Sequence, residues 1–158
     1  MERLNLPDCK LTVRFQNSRQ EIFDDFRKRF VSLTPEEWVR QHFAHYLVSE
    51  RSFPKGLMAV EYSLTLNGLK KRIDILAFSP EGKAILAVEC KASHVKIDQS
   101  TFDQIARYNM VLKIDYLIVT NGLNHYVCKL DYDNLSFKYL PNVPTFDELF
   151  LKKQTQIK

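Results

Sequence analysis

Glycine is scarce in this chain, with 4 residues among 158, which leaves no room for a flexible glycine-rich linker. Cysteine is scarcer still. Cys9, Cys90 and Cys128 form no Cys-x-x-Cys pair, so neither a disulfide framework nor a structural zinc site is expected. Free thiols suit a reducing cytosol, and a cytoplasmic location is the expectation. No apolar run is long enough to cross a bilayer, so no membrane contact is expected. The start, Met1-Glu2-Arg3, lacks the apolar stretch of a secretory signal. No Gly-x-x-x-x-Gly-Lys-Ser/Thr occurs, which argues against an ATP-driven motor. Internal repeats and low-complexity tracts are lacking too. Charge is close to balanced: a net +4 and a pI near 8.9 permit a nucleic-acid partner without requiring one. The hydrophobic share of 45% is that of an ordinary globular chain, and one domain over residues 1–158 is expected.

What stands out is where the charge lies. Ala84, Ile85, Leu86, Ala87 and Val88 run into Glu89, Cys90 and Lys91. A short apolar run ending in charge reads as a buried strand whose tip reaches a polar site. Side chains alternate along a strand, so Glu89 and Lys91 point the same way. Just upstream, Arg72-Ile73-Asp74-Ile75-Leu76-Ala77-Phe78 embeds another carboxylate among apolar residues, and Ser79-Pro80-Glu81-Gly82 between the two is a turn. Antiparallel pairing through that turn brings Asp74 close to Glu89. A solvated edge strand would account for Glu89 and Lys91 alone, but not for Asp74. Two carboxylates and a lysine at one sheet edge suit divalent-metal phosphodiester hydrolysis. The acids supply hard oxygen ligands, the metal activates water and stabilises phosphate charge, and the lysine orients that water.

The remaining elements follow in order. Residues 11–15 and 21–23 predict an N-terminal hairpin over about 10–24, and the charged stretch 24–30 reads as a solvated connector. Thr34, Pro35 and Glu37 open a helix running to about residue 49, with Thr34 as N-cap and Glu37 closing a capping box. Glu37, Arg40 and Gln41 share one face of it, and His42 and His45 read as ordinary histidines. Residues 57–66 alternate as a strand whose polar side reads as solvated, with Glu61 a less favoured candidate for an extra acid facing the site. Asn67-Gly68 turns that strand into 70–78, and 83–91 completes an antiparallel meander. A second helix, N-capped by Asp98, runs to about 112 and projects Gln104 and Tyr108 from one face. Residues 116–119 form a strand parallel to 85–91 through a right-handed crossover. Strands at 125–130 and 135–140 follow, then a helix over about 145–153 and a polar tail over 152–158 that is expected to fray.

Taken in order, residues 34–41, Ile73-Asp74, Glu89-Cys90-Lys91, residues 104–109 and Val119-Thr120-Asn121-Gly122 resemble the N-terminal nuclease domain of type I restriction enzyme R subunits, within the PD-(D/E)XK nuclease superfamily. Asp…Glu-x-Lys alone is a weak pattern, whereas the ordered set is far more specific. The likeness covers roughly residues 23–130, and Ile73 stands where the superfamily name has proline. It implies a restriction-endonuclease-like α/β fold: a mixed sheet flanked by helices, with a core over about 34–140. It implies a Mg²⁺-dependent endonuclease acting on DNA, with Mn²⁺ as substitute. Asp74, Glu89 and the main chain of Cys90 would be metal ligands, with Glu37 as a further candidate that its capping box explains equally well. Lys91 would position the water. Gln104 and Tyr108 would support the site, and Arg40, Lys96 and Arg107 would touch phosphates. A separate motor or specificity protein would be a partner. The alternative reading is a module that keeps the fold and binds nucleic acid or protein without useful cleavage.

Overall fold

The computed structural model describes residues 1–155; the side chains of Leu66, Tyr108 and residues 151–155 lie outside that description. Of the tail expected to fray, residues 152–155 continue the last helix and 156–158 lie outside the described residues. Among the described residues nine strands and three α-helices follow one another: β1 (Val13–Gln16), β2 (Arg19–Asp24), β3 (Arg29–Ser32), α1 (Pro35–Glu50), β4 (Met58–Leu66), β5 (Leu69–Phe78), β6 (Ala84–Cys90), α2 (Gln99–Met110), β7 (Tyr116–Thr120), β8 (His125–Asp131), β9 (Ser136–Leu140) and α3 (Phe146–Thr155). The last six strands form one sheet in chain order. Every neighbouring pair is antiparallel except β6 and β7, which α2 joins as a parallel crossover. The expected α/β fold with a mixed sheet is found. At the β4–β5 turn, Asn67 and Gly68 take φ of 51° and 79°, the conformation that makes this dipeptide a hairpin signal.

Alternation along the strands supplies two apolar layers. Val39, Phe43 and Leu47 of α1 pack with Ile75, Val88, Ile118 and Val127. Phe102 and Ala106 of α2 pack with Leu76, Ala87, Leu117, Val119 and Cys128 on the other face. β7 is buried at every position, which is why it reads as an unbroken apolar run. No helix among the described residues is long and apolar enough to cross a membrane.

The N-terminal segment differs from the expected hairpin. Residues 24–30 are not a solvated connector: β2 runs to Asp24, the chain turns, and β3 returns to make a three-stranded sheet. Phe23 pairs with Phe30 across the two strands, ring centroids 5.3 Å apart. Two of the charges that suggested solvent, Asp24 and Arg27, turn inward, while Lys28 and Arg29 stay exposed. Asp24 is completely buried and takes hydrogen bonds from Arg27 and Arg40.

Candidate active site

The site forms where the sheet's regularity lapses. Register between β5 and β6 pairs Ile75 with Val88, and one further step sets Asp74 opposite Glu89. There the backbone N–H of Cys90 donates to Asp74 Oδ2 at 2.7 Å, so a side chain stands in for a strand partner. On the other side β4 pairs Val60 with Ile75 and Tyr62 with Ile73, but skips Glu61 opposite Asp74. Glu61 takes φ of 51°, a left-handed conformation that is uncommon for a residue of this size and clusters at functional sites.

Asp74 is 7% exposed. Burial drives its carboxyl up to about 7; the Cys90 N–H opposes this, and the charges of Glu89, Glu61 and Glu36 add to it. Three carboxylates therefore add to the burial that disfavours the charged form of Asp74. Glu89 lies at ion-pair distance from Lys71, 3.1 Å from Nζ to Oε1, yet that buried oxygen has no partner in hydrogen-bond geometry among the described residues. Two hollows meet at this point. One of about 780 Å³ is lined by Asp74, Glu61, Glu37, Arg40, Arg72 and Lys91 among others. One of about 610 Å³ is lined by Glu89, Lys71, Gln104, Arg107 and again Lys91. Lys91 thus stands at the junction of the hollow that holds Asp74 and the one that holds Glu89. Its backbone N–H, bonded to Thr120 O at 2.8 Å, ties the tip of β6 to β7.

The remaining expected residues divide. Gln104 and Arg107, both exposed on α2, line the second hollow beside Glu89. The Tyr108 side chain lies outside the described residues. Lys96 is exposed on the connection before α2 and lines neither hollow. Cys90 buries its thiol completely, so its main chain is what meets β5. Glu37 lines the larger hollow but is already engaged. Thr34 accepts the Glu37 N–H at 3.0 Å, forming the forward half of the capping box. The Glu37 carboxylate turns instead to Arg27, Arg40 and Gln41, at 2.6 to 3.0 Å. Arg40, expected at a phosphate, is 1% exposed and held by Asp24 and Glu37, because a buried guanidinium needs carboxylate partners more than solvent. Glu61, expected on a solvated face, contacts Arg72 at 2.7 Å and Arg40 at 3.8 Å, its side chain only 16% exposed. Lys71 and Asp24 are the site neighbours that pattern reading misses, and Glu61 the one it ranks below a solvated face; cross-strand register is the signal that could have found Lys71 and favoured Glu61.

Among the described residues no three His, Cys, Asp or Glu side chains come together as a metal-holding group. The donor set here is two carboxylates, which fits Mg²⁺, an ion commonly bound through one or two carboxylates with waters and phosphate oxygens completing its shell. The repulsion of Asp74 by Glu89, Glu61 and Glu36, and a buried Glu89 oxygen that its Lys71 ion pair leaves without a hydrogen bond among the described residues, fit a cation as well.

Residues 35–144, well over half of the chain, match the family described as type I restriction enzyme R protein N terminus (HSDR_N). The chain belongs to this family. The HSDR_N match opens on the first residue of α1 and closes just before α3, so it takes in every expected site residue and leaves β1–β3 outside. Among solved structures, the HSDR_N chain is similar to a fragment assigned to an HsdR subunit of a type I restriction enzyme from Vibrio vulnificus YJ016. Identity is 23%, the TM-score is 0.56, and 78% of this chain is covered. That likeness carries the fold; the chain spans only 26% of the fragment's own chain. No curated protein matches the chain.

Proposed function

We propose that this HSDR_N domain hydrolyses phosphodiester bonds of DNA with the help of Mg²⁺, for which Mn²⁺ substitutes. The observation that carries the reading is the placement of Asp74 and Glu89 at a break in the sheet, with Lys91 between their two hollows. Asp74 and Glu89 would hold the ion, with the Cys90 main chain beside them. When bound, the metal supplies charge for the phosphate and a water of lowered pKa. Lys91 would hold the attacking oxygen in line through its ammonium, and Gln104 and Tyr108 would support Glu89 from α2. Arg107, and Lys96 further out, would hold flanking phosphates, which position the strand without reading it. Glu37 and Arg40 serve better as an internal brace than as ligand and phosphate contact, because the Glu37 carboxylate meets Arg27, Arg40 and Gln41 and the Arg40 guanidinium, 1% exposed, meets Asp24 and Glu37. A motor or specificity protein would act with the domain from another chain or segment.

One observation favours a second reading, a binding module without useful cleavage. Lys71 stands where a cation would compete for Glu89. The test is cleavage of plasmid, linear and single-stranded DNA in Mg²⁺ or Mn²⁺, with Asp74→Ala and Lys91→Ala alongside. Hydrolysis has cleavage by the wild type abolished in both variants. Equal activity in all three, or salt-sensitive binding with no cleavage, overturns it.

A further inference from the structure

We propose that Tyr126 and Tyr139 form a stacking site for an unpaired base of the DNA strand held at the Asp74–Glu89 site. The identity of the strand rests on the hydrolytic reading above; the platform itself rests on separate geometry. Glu89 pairs with Val119 in the ladder, and Val119 pairs with Tyr126. The three share one row and one face of the sheet, which puts Tyr126 two strand spacings, about 10 Å, from Glu89. Phe102 of α2 is 2% exposed, yet the tyrosines against it are 36% (Tyr126) and 44% (Tyr139) exposed. Ring centroids of Phe102 lie 6.2 Å from Tyr126 and 5.0 Å from Tyr139. A hollow of about 140 Å³ opens between the rings, with Ile97, Asp98 and Gln99 completing its wall. Gln99 Nε2 donates to the Tyr139 hydroxyl at 2.8 Å, which holds that ring in place.

The chemistry of the hollow selects its occupant. Aromatic rings beside the Gln99 amide and two phenol hydroxyls suit a flat ring with an apolar face and a polar edge. An aliphatic side chain from another protein would leave those polar groups unused. Lys96, exposed one residue before Ile97, brings positive charge for the phosphate that accompanies the base. The Asp98 carboxylate is occupied in capping α2, accepting the Thr101 N–H at 2.7 Å. Stacking of this kind accepts every base and favours strands whose bases are free. A frayed end or single strand would thus lie across α2, its base on the tyrosines and its backbone reaching toward Glu89.

The test is fluorescence anisotropy on the whole chain in EDTA, comparing a labelled twelve-nucleotide oligo-dT with an abasic strand of equal length. Expected is binding of oligo-dT tighter by about tenfold, a preference lost in the Tyr126→Ala/Tyr139→Ala double variant and kept in Tyr126→Phe/Tyr139→Phe. Equal affinity of the wild type for both strands overturns the platform, whether or not the alanine variant folds. So does a preference that survives the alanine variant, or no binding of either strand. Because no metal is present, the readout is independent of catalysis. Base-dependent binding without cleavage in Mg²⁺ would sink hydrolysis alone, and cleavage without base preference would sink the platform alone.

Discussion

Asp74 is an acid in a place that resists its charge. Its carboxyl is raised to about 7, first by burial and then by Glu89, Glu61 and Glu36. A carboxyl raised in the folded state holds its proton more tightly there than in the unfolded chain. Stability of the metal-free protein should therefore fall as pH climbs from about 4 to about 7 and level off above, by at most about 4 kcal/mol. Thermal melts across that range in EDTA check the sign, and a rise in stability over the same window from this group would contradict it. Asp74→Asn keeps an acceptor for the Cys90 N–H and removes the charge, so it should abolish the slope and raise Tm at pH 8. Glu61→Gln removes one of the charges that lift Asp74, so the levelling point should move below 7; no movement would mean that Glu61 does not act on Asp74. The Asp74–Glu89 pairing was legible in the residues themselves, since a turn between two apolar runs sets the register. Glu61 was legible only as the less favoured of two readings, because its alternation with Tyr62 and Ser63 suits a solvated face. A left-handed φ within an otherwise regular strand is invisible to pattern.

At the level of elements, the three-stranded sheet is fastened to α1 through Asp24 and Arg40, both side chains 1% exposed. Arg40→Leu would leave Asp24 and Glu37 buried without their partner, and should cost about 3–5 kcal/mol in urea denaturation. A loss below about 1 kcal/mol would show that the pair can be dispensed with. Thr34→Ala removes the acceptor for the Glu37 N–H at the start of the same helix and should cost about 1 kcal/mol by the same measurement. The helix starts were readable because capping residues announce them, and Thr34 and Asp98 cap α1 and α2 as expected. β3 was not readable. Arg27, Lys28 and Arg29 ahead of Phe30 look like a surface run, and only the tertiary partners of Asp24 show that one of those charges turns inward. The same blindness placed Arg40 on a phosphate, since helical spacing gives the face of a residue but not what covers it.

Across the whole molecule, one sheet covered by α1 and α2 on opposite faces brings residues from β4, β5 and β6 and from those two helices to one end. That arrangement was largely legible, because apolar runs of strand length alternated with capped helical stretches. What pattern could not supply is the distribution of charge around the site, which depends on which side chains fill the space between elements. The account rests on Asp74 and Glu89 holding one divalent ion, and calorimetric titration of the intact protein with Mn²⁺ at pH 8 tests this most directly. One ion should bind per chain, with affinity reduced more than about tenfold by either Asp74→Asn or Glu89→Gln. Mn²⁺ binding that neither substitution weakens would contradict the account.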